Sequence, residues 1–255
     1  MTARRLEGKR VLILGGGTGL GRACAEAMLA EGAGVFLSGR RAGMLAQAAA
    51  ALAGRGPVAH GAGDATREDD VRRVVEAADV ALGGLDTLVV SAGLSAVGSI
   101  LDTTLEDFRR VSDANLLPLF LGAKHAAPHI IATGGGAIIA IASTTGVVAM
   151  RERVAYAAAK AGVIGMVRAI ALDLADRGVR VNAISPSLVM TDLARAVLAR
   201  EKDPEAVLAR RTAQHPLGRL GTPEEVAEVA VYLASDRAGW TTGQNFVIDG
   251  GLTIA

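Results

Sequence analysis

The strongest constraint on this chain is a regular alternation between short apolar runs and longer segments whose apolar residues recur at helical spacing. The runs are continuously apolar, which is typical of strands buried on both faces of a parallel sheet. We predict strands at Arg10–Leu14, Gly34–Ser38, Val58–His60, Thr87–Val90, Ala137–Ala142, Arg180–Ile184 and Asn245–Ile248. We predict helices near 19–31, 42–53, 67–82, 104–132, 154–177 and 223–234.

Repeated strand–helix alternation predicts an α/β fold, a doubly wound parallel sheet of about seven strands with helices on both faces. No Pro- or Ser-rich linker divides the chain, so we expect one domain over residues 1–255. The least regular part lies near 187–216 and carries a helical pattern of its own. A long insertion of this kind is usually functional, and we predict that it forms a lid over the substrate.

Composition excludes several classes of protein. The net charge is +1 from interspersed acids and bases, so no broad field favours nucleic acid. The segment Met1–Arg10 is polar and charged, unlike a secretory signal, and apolar runs such as Ala137–Ala142 are too short to span a bilayer. The four histidines lack metal-ligand spacing, and the single Cys24 is expected to be buried. We expect a cytoplasmic protein that binds no membrane, nucleic acid or metal.

A glycine-rich turn, Gly15-Gly16-Gly17-Thr18-Gly19-Leu20-Gly21, joins the first strand to the first helix. Tight turns need glycine for steric reasons alone. Its place after the first strand favours phosphate binding, because the backbone approaches the pyrophosphate and the helix N-terminus supplies free N–H groups. We predict a Rossmann-type dinucleotide site whose first contacts are Gly15, Gly17, Thr18, Gly19, Leu20 and Gly21.

The second strand is followed by Arg40 and Arg41, where NAD-preferring sites usually carry an acidic residue that holds the ribose 2′-hydroxyl. A guanidinium would instead pair with a 2′-phosphate, which predicts a preference for NADP(H), with NAD(H) still usable. A solvated loop arginine is the alternative. After the third strand, Asp64 and Ala65 lie where a loop could cap the adenine, although Asp64 could equally serve a turn or a helix cap.

The candidate catalytic residues are Ser143, Tyr156 and Lys160. Tyrosine and lysine at positions i and i+4 lie on one face of a helix. A phenol has a pKa near 10, and a nearby ammonium would lower that pKa toward working pH. Ser143 ends the fifth strand, at the edge of the sheet where open α/β folds bind their ligands, and could hydrogen-bond a substrate oxygen.

Together these blocks resemble the classical short-chain dehydrogenase/reductase family, and are similar to its 3-oxoacyl-[acyl-carrier-protein] reductases. The resemblance runs from Gly15 to Gly251. It includes Asn115, the segment Val181–Pro186, and blocks near the end such as Asp249-Gly-Gly251. It implies a homotetramer with interfaces near 104–132, 154–177 and the C-terminal segment.

The resemblance also implies roles. Tyr156 would act as general acid/base, Ser143 would position the substrate oxygen, and Lys160 would lower the Tyr156 pKa and hold the nicotinamide ribose. Asn115 would bend its helix and hold a water that relays protons to Lys160. Further cofactor contacts are implied at Asp64, Ala65, Ser91, Ala92, Gly93, Pro186, Val189 and Thr191. Three places depart from the family pattern: Leu14 replaces a threonine, Val90-Ser91 replaces two asparagines, and Ser187 replaces a glycine.

The sequence therefore predicts an NADP(H)-dependent oxidoreductase that interconverts a small ketone or aldehyde and its alcohol. One alternative is a 3-oxoacyl-thioester reductase of fatty-acid-type synthesis. The segment Pro128–Ala137 lacks the basic residues that an acidic carrier protein would need, although Arg195, Arg200, Lys202, Arg210 and Arg211 could form a basic lid. A second alternative is a non-catalytic NADP-binding sensor or scaffold, because fold alone does not establish activity.

Overall fold

A computed structural model describes residues 4–255, apart from the side chains of three residues within 192–197. The strands are β1 Arg10–Leu14, β2 Gly34–Gly39, β3 Val58–Ala62, β4 Thr87–Val90, β5 Gly136–Ile141, β6 Val179–Pro186 and β7 Asn245–Ile248. The helices are α1 Gly19–Ala30, α2 Ala42–Leu52, α3 Glu68–Leu82, α4 Leu105–Ala132, α5 Val154–Leu174, α6 Asp192–Leu198, α7 Pro204–Ala213 and α8 Pro223–Ala234. Every predicted strand and helix is present, with bounds that differ by a few residues.

The strands form one parallel seven-stranded sheet in the order β3-β2-β1-β4-β5-β6-β7, which confirms the predicted fold class. The chain winds outward from β1 to β3, crosses back to β4 beside β1, and then winds outward in the other direction. The loops after β1 and β4 therefore diverge, and a crevice opens at the carboxyl ends of these two strands. Open α/β sheets bind their ligands at this kind of switch point.

Successive residues of the strands point to opposite faces of the sheet and divide the core in two. In β1, Val11 and Ile13 pack against the face covered by α1, α2 and α8, whereas Leu12 and Leu14 pack against α3, α4 and α5. The first face also contains Cys24, which is fully buried as expected. Burial raises the pKa of the Cys24 thiol to about 12.

The helix Val154–Arg177, which contains α5, is long and apolar enough to cross a membrane by length and composition alone. Its buried side chains include Val163, Val167 and Ala171, which pack into the core on the α4 side of the sheet. This burial explains the apolar composition as that of a core helix.

Arg10 and Asp86 join the amino ends of β1 and β4. The Arg10 side chain donates two hydrogen bonds of 2.8 and 2.9 Å to the Asp86 carboxylate, and the Arg10 backbone N–H donates a third of 2.8 Å. Burial of Asp86 opposes ionisation, but these bonds hold the pKa of its carboxyl below the usual range. The pair fixes the register of the two central strands at the end opposite the crevice.

The segment between β6 and α8 contains two short helices, α6 and α7, which confirms the helical pattern expected near 187–216. It leaves the sheet at the carboxyl end of β6 and passes over the crevice side. Two contacts attach its start to the turn before α8: Val189 bridges to Gly221, and the Met190 N–H donates to the Gly221 carbonyl at 3.0 Å.

Candidate active site

The glycine turn is folded tightly at the end of β1. Gly15 has a φ of +88°, and a Cβ there would lie 2.6 Å from the backbone nitrogen of Ala92. A Cβ on Gly21 would lie 2.2 Å from the Gly15 carbonyl oxygen. Because neither position has room for a side chain, the turn and the first turn of α1 are pressed together. The backbone is consequently exposed to the crevice, as a phosphate cradle requires.

The amino end of α1 offers free hydrogen-bond donors. Thr18 occupies the N-cap position in extended conformation, and its side chain makes no capping bond among the described residues. An uncapped helix start leaves N–H groups and the positive end of the helix dipole available to an anion. Gly17 and Gly19 flank Thr18, and Leu20 packs partly into the core beneath it. These features fit the pyrophosphate of a dinucleotide.

The segment Ser91–Gly93 lies between the glycine turn and the candidate catalytic residues. The N–H groups of Ser91 and Ala92 both donate to the Leu14 carbonyl, at 2.8 and 2.9 Å. A Cβ on Gly93 would lie 2.7 Å from Asn115 Oδ1 and 3.5 Å from Lys160 Nζ. This short segment therefore contacts the glycine turn on one side and approaches Lys160 on the other.

Arg40 and Arg41 follow β2 and are both exposed. Arg41 takes the N-cap position of α2 without a side-chain cap. Among the side chains that the structure describes, neither guanidinium forms an ion pair, and both are exposed where a phosphate group could reach them.

Asp64 lies at the end of β3, and its carboxylate organises the local turn. Its Oδ1 accepts hydrogen bonds from the Thr66 N–H at 3.0 Å and from the Thr66 hydroxyl at 2.8 Å. Its own N–H donates to Asp70 at 2.9 Å. The turn function considered for Asp64 is therefore present in the structure. A contact of Asp64 and Ala65 with adenine stays a prediction.

Ser143, Tyr156 and Lys160 meet at the carboxyl end of β5. Ser143 is buried and precedes a short 3₁₀ turn, whose Thr145 N–H donates to its hydroxyl at 3.2 Å. Tyr156 and Lys160 lie in the first two turns of α5, with Lys160 Nζ 5.8 Å from the centre of the Tyr156 ring. The buried Lys160 ammonium donates to the Ile141 carbonyl at 2.8 Å.

Burial dominates the electrostatics of this group, and a lowering of the Tyr156 pKa by Lys160 stays a prediction. Burial raises the pKa of the Tyr156 phenol, and the Ser143 hydroxyl and the Arg153 charge offset only part of this effect. Lys160 Nζ lies near the Tyr156 ring and donates to the Ile141 carbonyl. Burial lowers the pKa of Lys160 to about 8.

Asn115 is buried in α4, where the helix continues through it from Leu105 to Ala132. Its Nδ2 donates to the carbonyls of Leu94 and Val111, at 2.9 and 2.8 Å, and its Oδ1 accepts from the Leu94 N–H at 3.4 Å. The side chain therefore fixes the loop after β4 beside the catalytic group. The implied water relay to Lys160 stays a prediction.

Arg153 was not singled out by sequence reasoning, yet its charge acts on Tyr156. It occupies the N-cap position of α5, and its Nη1 donates to the Ala96 carbonyl at 2.8 Å. This bond ties the start of α5 to the loop after β4. Its position could have indicated this, because Arg153 precedes Tyr156 by three residues and residues at that spacing lie on the same face of a helix.

The start of the segment after β6, which is the predicted lid, lies close to the glycine turn. Pro186 ends β6, Val189 is buried two positions beyond Ser187, and Thr191 caps α6 by accepting a 3.2 Å bond from the Ala194 N–H. A Cβ on Gly19 would lie 3.8 Å from the Thr191 methyl group. The structure therefore brings Thr191 against the glycine turn.

Comparison with known proteins supplies the family. A family model described as Enoyl-(Acyl carrier protein) reductase matches residues 15–253. The chain is 38% identical over 253 residues to 2-(S)-hydroxypropyl-CoM dehydrogenase 3 of Xanthobacter autotrophicus, covering 98% of this chain and 99% of that protein. It is 36% identical over 253 residues to the 3-oxoacyl-[acyl-carrier-protein] reductase FabG of Thermotoga maritima, covering 98% and 100%.

The fold agrees with these relationships. A short-chain dehydrogenase/reductase from Burkholderia xenovorans superposes with a TM-score of 0.95 at 34% identity, covering 99% of each chain. Such relatedness over nearly the whole length shows more than a shared architecture. The chain belongs to the short-chain dehydrogenase/reductase family and is an oxidoreductase that acts on CH–OH groups with NAD(P).

Proposed function

We propose that this enzyme is an NADP(H)-dependent reductase that interconverts a small, free ketone or aldehyde and its alcohol, with Tyr156 as general acid/base. The observation that carries the proposal is the position of Ser91–Gly93, which contacts Gly15 of the cofactor turn and approaches Lys160. A nicotinamide held by this turn would therefore lie beside Tyr156. When bound, the nicotinamide supplies or accepts the hydride.

Residues of the protein transfer the proton and orient the substrate oxygen. In the reductive direction Tyr156 donates its phenolic proton to the carbonyl oxygen, and Ser143 donates a hydrogen bond that orients that oxygen. The raised pKa of Tyr156 keeps the phenol protonated at neutral pH, which suits this direction. In alcohol oxidation Tyr156 must first lose its proton, so oxidation should accelerate as pH rises.

Several groups would hold the cofactor. The backbone between Gly15 and Gly21 would bind the pyrophosphate, and Arg40 and Arg41 would pair with the 2′-phosphate that distinguishes NADPH from NADH. Lys160 would donate to the nicotinamide ribose. Asp64 and Ala65 would contact adenine, and the lid would supply Pro186, Val189 and Thr191 around the nicotinamide.

A free substrate is favoured over a carrier-bound one. A relative that is 35% identical over 255 residues, the cyclohexanol dehydrogenase of an Acinetobacter species, acts by its name on a small free alcohol. The FabG relative supports the alternative, a 3-oxoacyl-thioester reductase, and the lid places Arg195, Arg200, Lys202 and Arg210 at the surface, where an acidic carrier could dock. Both candidates use the same catalytic residues.

The deciding experiment follows NADPH consumption over a panel of ketones, aldehydes and one 3-oxoacyl thioester. Turnover that depends on the hydroxyl of Tyr156, and so disappears in Tyr156→Phe, establishes the reaction, and the best substrate decides between the two readings. Tight NADPH binding with no loss of activity in Tyr156→Phe would refute the catalytic assignment.

Cofactor preference has its own test. Arg40→Asp should weaken NADPH use and relatively favour NADH. Arg177→Asp serves as the control, because Arg177 is exposed and precedes β6 at the opposite end of the sheet. An unchanged NADPH:NADH ratio in Arg40→Asp would remove Arg40 from the site.

The proposed homotetramer rests on exposed apolar side chains. Phe108 and Phe120 of α4, Leu172 of α5 and Trp240 are all exposed, Trp240 completely so. The α4 and α5 surfaces are also those that the family resemblance assigns to interfaces. Sedimentation velocity should give a mass about four times the 25.9 kDa of one chain, and a monomer would refute the assembly.

A further inference from the structure

The two ends of the lid meet through side chains. The lid leaves β6 at Ser187 and returns to the body of the protein at His215, just after α7. The Ser187 hydroxyl lies 2.7 Å from His215 Nε2. We call this contact the lid base, defined by Ser187 and His215.

The direction of this hydrogen bond follows from its neighbours. His215 Nδ1 lies 2.8 Å from the Arg211 carbonyl oxygen. A carbonyl oxygen only accepts, so Nδ1 carries the proton of the neutral ring and Nε2 is left as an acceptor. Ser187 therefore donates to His215, which donates to Arg211. This chain links the end of β6 to the last turn of α7.

The lid base is also shielded from water. His215 is only 4% exposed, and a Cβ on Gly250 would contact its side chain at 3.5 Å. The Leu217 N–H donates to the Gly250 carbonyl at 3.1 Å, which holds the chain after His215 against the turn following β7. A buried ring acceptor without its donor is costly, so the ring and Ser187 constrain each other.

We propose that the Ser187–His215 hydrogen bond is a positioning contact that keeps the lid base closed, so that Val189 and Thr191 stay beside the cofactor. Ser187 stands between Pro186 and Val189, both of which belong to the proposed nicotinamide site, and this part of the inference rests on the proposed function. The family resemblance leads us to expect glycine at position 187, and the hydrogen bond to His215 explains why serine stands there instead. Glycine could not donate this bond.

The first test measures the cofactor-free protein. Hydrogen exchange of the backbone amides in 188–214 should be about fivefold faster in Ser187→Ala than in the wild type, which is the loss expected of one hydrogen bond. Amides of α1 and β4 should exchange at unchanged rates. Ser187→Thr retains the hydroxyl and should restore slow exchange in the lid.

The second test measures the cofactor. Ser187→Ala should raise the NADPH KM by about fivefold with a smaller change in kcat, and Ser187→Thr should recover most of the affinity. His215→Gln removes the Nε2 acceptor and so breaks the same hydrogen bond at its other partner. Combined with Ser187→Ala, it should add little to the effect of either single change, because both remove one contact.

Two results would overturn the inference: lid exchange in Ser187→Ala equal to that of the wild type, or Ser187→Thr behaving like Ser187→Ala. The exchange measurement needs no cofactor. A wild type that fails to bind NADPH would therefore refute the proposed function while leaving the lid base to be decided by exchange alone.

Discussion

Replacing Lys160 with methionine should make the protein more stable at neutral pH while removing its activity. Burial lowers the Lys160 pKa from 10.5 to about 8, so the fold disfavours the charged form. At about 1.4 kcal/mol per pKa unit, the cost of holding the ammonium is about 3 kcal/mol. Methionine fills similar space, but it leaves the Ile141 carbonyl unpaired, which costs about 1–2 kcal/mol. The expected net gain is about 1–2 kcal/mol.

The gain in the free energy of unfolding from Lys160→Met should depend on pH. Between about pH 8 and 10.5 the unfolded lysine keeps a proton that the folded lysine has lost, so the Lys160 contribution to the free energy of unfolding rises with pH. Below pH 8 the full cost is present. Burial raises the pKa values of Cys24 and Tyr156, which act in the opposite direction at alkaline pH. The difference between wild type and variant isolates Lys160. The advantage of the variant should fall as pH rises and disappear or reverse by about pH 10.

The assay is urea unfolding at pH 7 and pH 10 in the presence of reductant, at one protein concentration. Circular dichroism is the suitable probe, because Trp240 is fully exposed and reports little on burial. The exposed Lys202 provides the control Lys202→Met, which should leave stability within about 0.5 kcal/mol of the wild type. A Lys160→Met variant no more stable than the wild type at pH 7, with no pH-dependent difference, would refute the reasoning.

Three further predictions test the surroundings of the site. Gly21→Ala should weaken NADPH binding and cost about 1–3 kcal/mol of stability, since its Cβ would lie 2.2 Å from the Gly15 carbonyl. In the wild type the Arg153 charge favours the Tyr156 phenolate. Arg153→Met should therefore raise the pKa of Tyr156, and the rate of alcohol oxidation should increase only at higher pH. Asp86→Asn should cost about 2–3 kcal/mol by leaving Arg10 unpaired. Because the folded pKa of Asp86 is lowered, its contribution is present at neutral pH and is lost as pH falls below about 4.

Each change has a matched control. Gly54→Ala adds a methyl group with no atom within 4 Å, and equal effects of Gly21→Ala and Gly54→Ala on urea unfolding and calorimetric NADPH binding would contradict the steric argument. Arg151→Met removes an exposed neighbouring charge, and a pH–rate profile identical to that of Arg153→Met would show that Arg153 has no particular effect. Asp69→Asn breaks an exposed pair with Arg72. Unfolding curves that are superimposable for Asp69→Asn and Asp86→Asn would exclude a special contribution from Asp86.

The fold was predictable because its signals are local. Continuous apolar runs such as Val11–Leu14 predict strands whatever surrounds them, and the glycine turn marks where the first strand meets its helix. β3 extends two residues beyond its predicted end, because the apolar run stops near His60 while pairing with β2 continues to Ala62. The hydrogen bonds of a parallel strand do not depend on the hydropathy of its last residues.

The sequence predicted which residues form the candidate site, but not the hydrogen bonds and charge interactions between them. Spacing placed Tyr156 and Lys160 on one helix face, and the structure brings Ser143 to them. Spacing could not show that the Lys160 ammonium donates to the Ile141 carbonyl, or that Arg153 lies close enough for its charge to favour the phenolate. The contact between Ser187 and His215 spans 28 positions and depends on how α7 packs, which no local pattern records.

The burial of Cys24 gives this protein a built-in reporter of its own opening. The chain has one cysteine, so any alkylation of the native protein reports a single position. The thiol is completely enclosed between α1 and the sheet, and its raised pKa suppresses the reactive thiolate further. Labelling therefore requires the α1 face to come apart, and its rate measures that opening without denaturant. Because Cys24 is buried and its thiol stays protonated, thiol oxidants should not inactivate the folded enzyme.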